Sequence, residues 1–270
     1  MPELPEVETI RRQLLPICEN ETIRDIQFSE FAGALMQNCD PQLFRDALAG
    51  QRVRTLSRKG KYLIFECNDV FPVFHLGMSG IFLLQKSESK YPKHIHVELK
   101  FASGKLLFFQ DMRRFGKIWL YREYPQLPNL GIDPVSGELS AAAFAELIRR
   151  REMNVKLFLM DQQFIAGIGN IYASEMLHDA QISPHRKTSD LSDNERDKLF
   201  GAVGKILGAA IEKFGTTYSA YRTVNGASGE NQHFLQVYQR NGQPCYRCGA
   251  EIQKISLGNR STFFCPACQK

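Results

Sequence analysis

The chain has 270 residues, which is long enough for two domains that each bury a core of their own. Its net charge of +5 and pI near 8.8 suit a polyanionic partner, although many unrelated proteins are equally basic. The sequence has no apolar run of membrane length and starts with an acidic, amphipathic segment. We therefore expect neither a membrane protein nor a secreted one, but a cytoplasmic protein whose cysteines are reduced unless they bind a metal.

The amino terminus carries the first candidate chemistry. If Met1 is removed, Pro2 presents a secondary amine with a pKa of about 8, which is a usable nucleophile at neutral pH. Glu3 and Glu6 lie close enough in sequence to move protons, and Pro5 with Glu6 favours a helical first turn. The alternative is an ordinary helix start, because many chains begin with Pro and Glu.

The first half of the chain has the pattern of a sheet domain. An opening helix with Val7, Ile10 and Leu14 on one face is predicted to end near Pro16, and a second helix is predicted over 41–49. Alternating and β-branched runs predict a two-layer antiparallel sandwich. The predicted strands are Thr22–Phe28, Arg52–Ser57, Tyr62–Cys67, Val73–Gln85, His94–Phe101, Leu106–Gln110 and Lys117–Tyr121.

Three polar or glycine-rich stretches interrupt this sheet pattern. Five cations between positions 52 and 61 surround Gly60 and suit phosphates, although a solvated strand face explains them almost as well. Residues 75–80 read His-Leu-Gly-Met-Ser-Gly, in which Met78 is most simply a core residue. Residues 111–116 read Asp-Met-Arg-Arg-Phe-Gly and predict a loop between strands. His94 and His96 have strand spacing but no obvious third metal ligand nearby.

The second half changes character after a turn-rich segment. We predict a sandwich domain over 1–123, an interdomain hinge over 124–139, a helical domain over 140–235 and a separate segment over 236–270. Helices are predicted over 141–151, near Asn170, and from the Ser192/Glu195 capping box to Gly215. Gly167 and Gly169 precede the helix at Asn170, where free amides suit a phosphate, although glycines before a helix are weak evidence alone.

The strongest single motif is at the carboxyl end. Cys245-x2-Cys248 and Cys265-x2-Cys268, 16 residues apart, have the ligand count and spacing of a structural zinc ribbon. Four thiolates close the coordination shell, so one Zn²⁺ would stabilise the fold and activate no water. Residues 256–264 between the pairs are predicted to form a hairpin tip.

Taken together, these stretches resemble the formamidopyrimidine-DNA glycosylase family. The resemblance is carried by Pro-Glu-Leu-Pro-Glu-Val-Glu at 2–8, by the motifs at 75–80 and 111–116, by residues 160–175 and by the zinc ribbon. It implies an α+β protein in two domains: an antiparallel β-sandwich with flanking helices, then a helix-two-turns-helix domain ending in the four-cysteine zinc ribbon. It also implies a bacterial, nucleoid-associated enzyme that binds damaged double-stranded DNA, with a monomer as the default.

The resemblance also implies roles for particular residues. Processed Pro2 is the Schiff-base nucleophile and Glu3 the acid and base, while Lys61 assists β-elimination and Arg260 assists δ-elimination. Met78 fills the gap left by the everted base, which costs roughly a few kcal/mol to extrude. The remaining DNA contacts that it implies are Arg113 on the orphaned partner base, Phe115 as a second wedge, and His94, Arg151, Lys156 and Asn170.

This chain departs from the family pattern at several positions. Met112 replaces the usual proline in the loop, Leu157 replaces the proline after Lys156, and residues 219–222 and 229–232 differ in the segment that covers the lesion. We expect a bifunctional glycosylase and abasic-site lyase for oxidised purines such as 8-oxoguanine and formamidopyrimidines. Two alternatives remain: an endonuclease VIII-like glycosylase for oxidised pyrimidines, and a zinc-ribbon DNA-binding protein that does not cut.

Overall fold

The computed structural model describes residues 1–127, 129–218 and 220–270. Pro128 in the predicted hinge and Ser219 in the lesion-covering segment lie outside the described residues. The chain forms two compact units. Unit 1 contains Met1–Leu127 together with Lys213–Gln232, and unit 2 contains Pro128–Glu212 together with His233–Lys270.

Unit 1 begins with helix α1, Leu4–Cys18. Glu3 and Glu6 form a capping box at its start, and Pro5 occupies the first turn, where a missing N–H costs nothing. Its inner face carries Val7, Ile10, Leu14 and Cys18, all buried. The predicted end near Pro16 is wrong, because this proline removes only one bond of the last turn while Cys18 still packs into the core.

Two four-stranded antiparallel sheets follow, as the predicted α+β fold requires. The first has the order β1 (Ile23–Phe28), β6 (Ile95–Phe101), β7 (Leu106–Asp111), β5 (Gly80–Leu83). The second has the order β2 (Val53–Lys59), β3 (Tyr62–Cys67), β4 (Phe71–His75), β8 (Lys117–Tyr121). Helix α2, Pro41–Leu48, is capped by the Asp40 carboxylate.

The single strand predicted over 73–85 is wrong. It is two strands in different sheets, β4 and β5, joined by the tight turn at 76–79. Gly77 has φ +59°, a left-handed conformation that glycine adopts without strain, so the chain reverses there. The turn places Met78 outside both sheets.

The core of unit 1 lies between the sheets and is rich in phenylalanine. Phe74 packs on Phe65, Phe82 and Phe109 with ring centroids 5.2–5.5 Å apart, a separation typical of favourable edge and tilted contacts. The same core includes Tyr221 and Val224 from the later segment of the unit.

Unit 2 is helical, with a terminal hairpin. Its helices are α3 (Ala141–Arg149), α4 (Val155–Met160), α5 (Asn170–Asp179) and α6 (Asp193–Glu212), followed by strands β9 (Gln253–Leu257) and β10 (Arg260–Phe264). None of the helices in the described parts of the chain is long and apolar enough to cross a membrane.

The ends of these helices follow local chemistry. Ser140 caps α3 by accepting from the amide of Ala143, and the Ser192/Glu195 capping box is confirmed. The predicted ends were too late by two or three residues. Helix α3 ends at Arg149. Helix α6 ends at Glu212, because Phe214 and Gly215 adopt positive φ, which a right-handed helix does not permit.

Candidate active site and nucleic-acid interface

The amino terminus is held in place by the first turn of α1. Pro2 and Glu3 are buried, whereas Met1 is half-exposed. The Glu6 carboxylate accepts from the amide of Glu3 at 2.7 Å and from the amide of Thr216 at 2.8 Å. Glu6 therefore has a structural function that its sequence position alone did not indicate: it fixes both the start of the chain and the segment after α6.

Lys61 is the second residue of the two-residue turn of the β2–β3 hairpin and is buried, and Gly60 before it has φ +57°. The hairpin is tied to α1 through Glu8, whose carboxylate accepts from Arg58 at 3.1 Å and also pairs with Arg11 and Arg12. The five cations of this segment therefore do not form one exposed face. Arg52 and Arg54 are exposed, but Arg58 and Lys61 point inward.

The charge on Glu8 is strongly favoured. Burial alone would raise the pKa of this carboxyl, but hydrogen bonds from Arg11 and Arg12 and the charge of Arg58 outweigh it and lower the pKa to about 2. The helix that follows Pro2 and the hairpin whose turn contains Lys61 are thus joined by an ionised carboxylate.

Two touching loops carry the two predicted wedges, Met78 and Phe115, and the predicted contact to the partner base, Arg113. Met78 is 39% exposed and Phe115 is 50% exposed, and the Arg113 guanidinium lies 4.7 Å from the centroid of the Phe115 ring. A Cβ on Gly77 would lie 2.4 Å from the carbonyl of Phe115, so the two loops touch backbone to backbone.

Asp111 organises this pair of loops, a function that was not predicted from the sequence. Its buried carboxylate accepts from the Ser79 hydroxyl at 2.5 Å, from the amide of Gly116 at 2.6 Å and from the amide of Arg113 at 3.1 Å. The only sequence signal for this buried carboxylate is an acidic residue at the end of an apolar strand, and this signal does not show which groups it will bond.

A cavity of about 470 Å³ opens beside these loops within unit 1. Its lining includes Met78, Gln110, Met112 and Arg113, together with three residues from the later segment of the unit, Ala220, Arg222 and Gly226. Its size and its mixture of apolar and polar walls suit a flat heterocycle.

The two histidines have different surroundings. His94 ends a short 3-10 turn rather than starting the strand, and it is half-buried, with its ring 6.3 Å from Tyr91 and 6.5 Å from His96. His96 is buried in β6 and hydrogen-bonds to Ser29 and to the carbonyl of Asp111.

In unit 2, Lys156 and Asn170 form one hydrogen-bonded group. The Lys156 ammonium is fully buried and donates to Asn170 Oδ1 at 2.6 Å and to Thr262 Oγ1 at 2.7 Å. The Asn170 amide donates to the carbonyl of Ser261 at 2.8 Å. Direct DNA contact by Lys156 stays a prediction, and in this structure its ammonium holds α5 to the β9–β10 hairpin.

The two remaining predicted arginines of unit 2, Arg260 and Arg151, differ in exposure. Arg260 is exposed and follows a two-residue hairpin turn, Gly258–Asn259, in which both residues have positive φ. Arg151 is half-buried, with its guanidinium 4.7 Å from the centroid of the Phe164 ring.

The four predicted zinc ligands converge. The Sγ atoms of Cys245, Cys248, Cys265 and Cys268 all lie within 4.8 Å of one another. Two of the separations are 3.9 Å and 3.5 Å, close to the roughly 3.8 Å expected between thiolates that bind one tetrahedral Zn²⁺ and far too long for a disulfide. These residues fit one structural zinc, as predicted.

The ribbon is also anchored from outside its own ligands. The Glu175 carboxylate, buried in α5, accepts from the amides of Gln236, Val237 and Tyr238 at 2.8–3.0 Å, which fixes the entry to the ribbon. His178 Nε2 lies 3.6 Å from Cys245 Sγ. Neither function was predicted from the sequence, since both residues lie inside a helix without a distinguishing pattern.

Comparison with known proteins bears directly on this geometry. The sequence model of the formamidopyrimidine-DNA glycosylase N-terminal domain matches residues 1–118, that of the formamidopyrimidine-DNA glycosylase H2TH domain matches 130–221, and that of the zinc finger found in FPG and IleRS matches 242–270. The formamidopyrimidine-DNA glycosylase of Geobacillus kaustophilus is 38% identical, with 100% of both chains covered. The chain belongs to the formamidopyrimidine-DNA glycosylase family.

Solved structures of this glycosylase family have the same fold. A Lactococcus lactis FPG variant in complex with Fapy-dG-containing DNA superposes with a TM-score of 0.91 at 35% identity, and 100% of both chains is covered. The wild-type Lactococcus lactis FPG in complex with an oxidised-pyrimidine-containing DNA gives a TM-score of 0.89 at 36% identity, again over 100% of both chains. The predicted fold class, family and structural zinc are confirmed.

Proposed function

We propose that this chain is a base excision repair DNA glycosylase that removes oxidised purines from duplex DNA and then cuts the strand as an abasic-site lyase. The observation that carries the proposal is the full-length likeness to glycosylases of this family, combined with a Pro2–Glu3 pair buried at the start of α1. The 470 Å³ cavity beside Met78 is the space we assign to the everted base.

The proposed reaction begins after removal of Met1. The lone pair of the Pro2 nitrogen attacks C1′ of the everted nucleotide, the C1′–N9 bond breaks, and the base leaves with a proton supplied by way of Glu3. The C1′–O4′ bond then breaks as O4′ takes a proton, again by way of Glu3, and the opened sugar is left joined to Pro2 through a C1′=N iminium. The resulting iminium makes the C2′ proton acidic, so its removal expels the 3′ phosphate. Loss of a second proton then expels the 5′ phosphate, and hydrolysis of the iminium returns the free amine.

The positions of the other predicted residues suggest which step or which part of the DNA each one serves. Lys61 lies at the hairpin joined to α1 and suits the β-elimination step, while exposed Arg260 suits the δ-elimination step. Met78, Arg113 and Phe115 lie together on touching loops and suit the emptied base stack. His94, Arg151, Lys156 and Asn170 are the proposed contacts to the phosphate backbone.

We propose that a monomer acts on chromosomal DNA in the bacterial cytoplasm, since one chain supplies every assigned residue. Residues 124–139 are the proposed hinge between the sandwich domain (1–123) and the helical domain (140–235) with its ribbon (236–270). A single species of about 31 kDa in light scattering, which increases by the mass of one duplex when an abasic-site duplex is added, would support the monomer.

Borohydride trapping tests the mechanism. Wild-type protein with an 8-oxoguanine duplex should form a permanent cross-link, because borohydride reduces the iminium to a stable amine. Pro2→Gly should bind the duplex but lose most cleavage, and Glu3→Gln should fail on the intact lesion. Mass spectrometry that finds Met1 on the active protein, or full cleavage by Pro2→Gly, would contradict the proposal.

The alternative substrate class has one observation in its favour: a relative was solved with oxidised-pyrimidine DNA. Duplexes with single defined lesions separate the two candidates. A clear preference for thymine glycol over 8-oxoguanine opposite cytosine would favour the endonuclease VIII-like alternative. Binding without any cross-link would favour the non-catalytic alternative.

A further inference from the structure

His96 occupies an irregular position in its strand. On β6 and β7, Ile95 pairs with Gln110 and Val97 pairs with Phe109, so two steps along β6 match one step along β7. His96 is the extra residue of this β-bulge. A bulge turns a side chain away from the regular alternation of the strand, and it is often found beside an active site.

The redirected ring bridges two elements. Its Nδ1 lies 2.8 Å from the Ser29 hydroxyl, just beyond the end of β1, and its Nε2 lies 3.0 Å from the carbonyl oxygen of Asp111. A carbonyl oxygen can only accept, so the proton is on Nε2 and the ring donates to Asp111. In the neutral ring, Nδ1 then accepts from Ser29. Burial lowers the pKa of His96, which is consistent with this neutral tautomer.

Asp111 is thereby held at both of its polar groups. Its carbonyl is bonded to His96, and its carboxylate is bonded to Ser79, Arg113 and Gly116. Asp111 is the last residue of β7 and begins the loop that presents Arg113 and Phe115. Any rotation of the Asp111 peptide would therefore move the amides from which that loop starts.

We infer that His96 is a positioning residue that fixes the Arg113–Phe115 loop in the geometry needed to read the base opposite the lesion. This inference rests on the proposed function. His96 does not touch the DNA in this scheme, but acts through the Asp111 carbonyl. Asp111 is fully buried, so loss of the His96 bond leaves its carbonyl without that donor in a place that excludes water.

Two amide substitutions form a matched pair. In His96→Gln, the side-chain nitrogen takes the place of Nε2 and can still donate to Asp111. In His96→Asn, the shorter side chain can replace only the Nδ1 contact with Ser29. Both variants have the same uncharged polar group at the same buried position, so they differ mainly in whether the Asp111 carbonyl keeps its donor.

The measured quantity is the ratio of kcat/KM values for one lesion placed opposite each of the four bases. This ratio does not depend on the fraction of folded protein, so a merely structural role would not move it. We expect His96→Gln to stay within about threefold of wild type, and His96→Asn to lose roughly 5- to 100-fold of the discrimination, the range expected for one lost buried hydrogen bond. The KM should change less than kcat.

Cleavage at an abasic site in single-stranded DNA is the internal control, because it has no opposite base and needs only the Pro2 chemistry. Both variants should cleave it at the wild-type rate. Wild-type discrimination in both variants, or equal loss in both, would overturn the inference. If the wild-type protein itself fails to cleave or to cross-link, it is the proposed function that fails. If His96→Asn does not fold, Ser79→Ala, which loosens Asp111 from the carboxylate side, must flatten the same ratio.

Discussion

The substitution Glu8→Gln should destabilise unit 1, because it removes the charge to which three arginines are bonded. Glu8 is only 6% exposed, and its carboxylate contacts Arg11, Arg12 and Arg58 at 2.7–3.1 Å. The side chain would keep its size and some of its hydrogen bonds, so the change isolates the charge.

The magnitude follows from the pKa of Glu8, which falls from 4.5 to about 2. At 1.36 kcal/mol per pKa unit, this corresponds to about 3 kcal/mol of folding free energy. Arg12 is 59% exposed, so solvent screens part of its attraction and about 2 kcal/mol is the better expectation. Because the folded pKa is depressed, the contribution is complete above pH 4.5 and is lost as the pH falls towards 2. At pH 3, roughly half of it should be gone.

Trp119 provides the assay. It is the only tryptophan of the chain, and it lies in β8 of unit 1. Urea unfolding followed by its fluorescence should give a lower free energy of unfolding for Glu8→Gln at pH 7 and a smaller difference from wild type at pH 3. The matched control is Glu19→Gln, at the exposed end of the same helix, which should change stability by no more than about 0.5 kcal/mol. A difference that is absent at pH 7, or that is undiminished at pH 3, would refute the reasoning.

Three further predictions concern the loops and unit 2. Cys245→Ser should lower the zinc content measured with a chelating dye and weaken DNA binding, so unchanged zinc and affinity would argue against the metal site. Lys156→Met should lower the free energy of unfolding by about 2–4 kcal/mol, because Asn170 loses its charged donor. The same variant should bind a lesion duplex more weakly in fluorescence anisotropy. Wild-type affinity would show that this buried ammonium does not support the interface. Gly77→Ala should cost clearly more stability than Gly104→Ala in urea unfolding, since both positions have positive φ but only Gly77 lies against another backbone; equal losses would mean that the loops do not touch.

Local sequence signals predicted most of the fold, and they failed where tertiary packing overrode them. A proline near a helix end predicts that the helix stops there, but burial of Cys18 extends α1 two residues past Pro16. A single strand was predicted over 73–85 because the hydrophobic periodicity continues across Gly77. The positive φ of Gly77, which the sequence does not show, reverses the chain there and divides the segment between two sheets.

The candidate site shows the same division. Spacing alone predicted that the four cysteines bind one zinc, since the ligands of a ribbon lie close together in sequence. Asp111, Glu175 and His96 were missed because their partners come from distant strands and loops, and one sequence does not show which buried polar groups will meet. Lys156 was found by resemblance, but its burial against Thr262 depends on how the terminal hairpin packs on α5.

The discontinuity of unit 1 has a consequence for biosynthesis. Tyr221 and Val224 complete a core whose other members precede residue 121. The Glu6 carboxylate also accepts a hydrogen bond from the amide of Thr216, which is made much later in translation. A ribosome must therefore translate all of 128–212 before the amino-terminal half can finish folding. A fragment that stops at residue 127 would leave that half with an open hydrophobic face and without the contact between Thr216 and Glu6, so the enzyme cannot become active until its second half has been made.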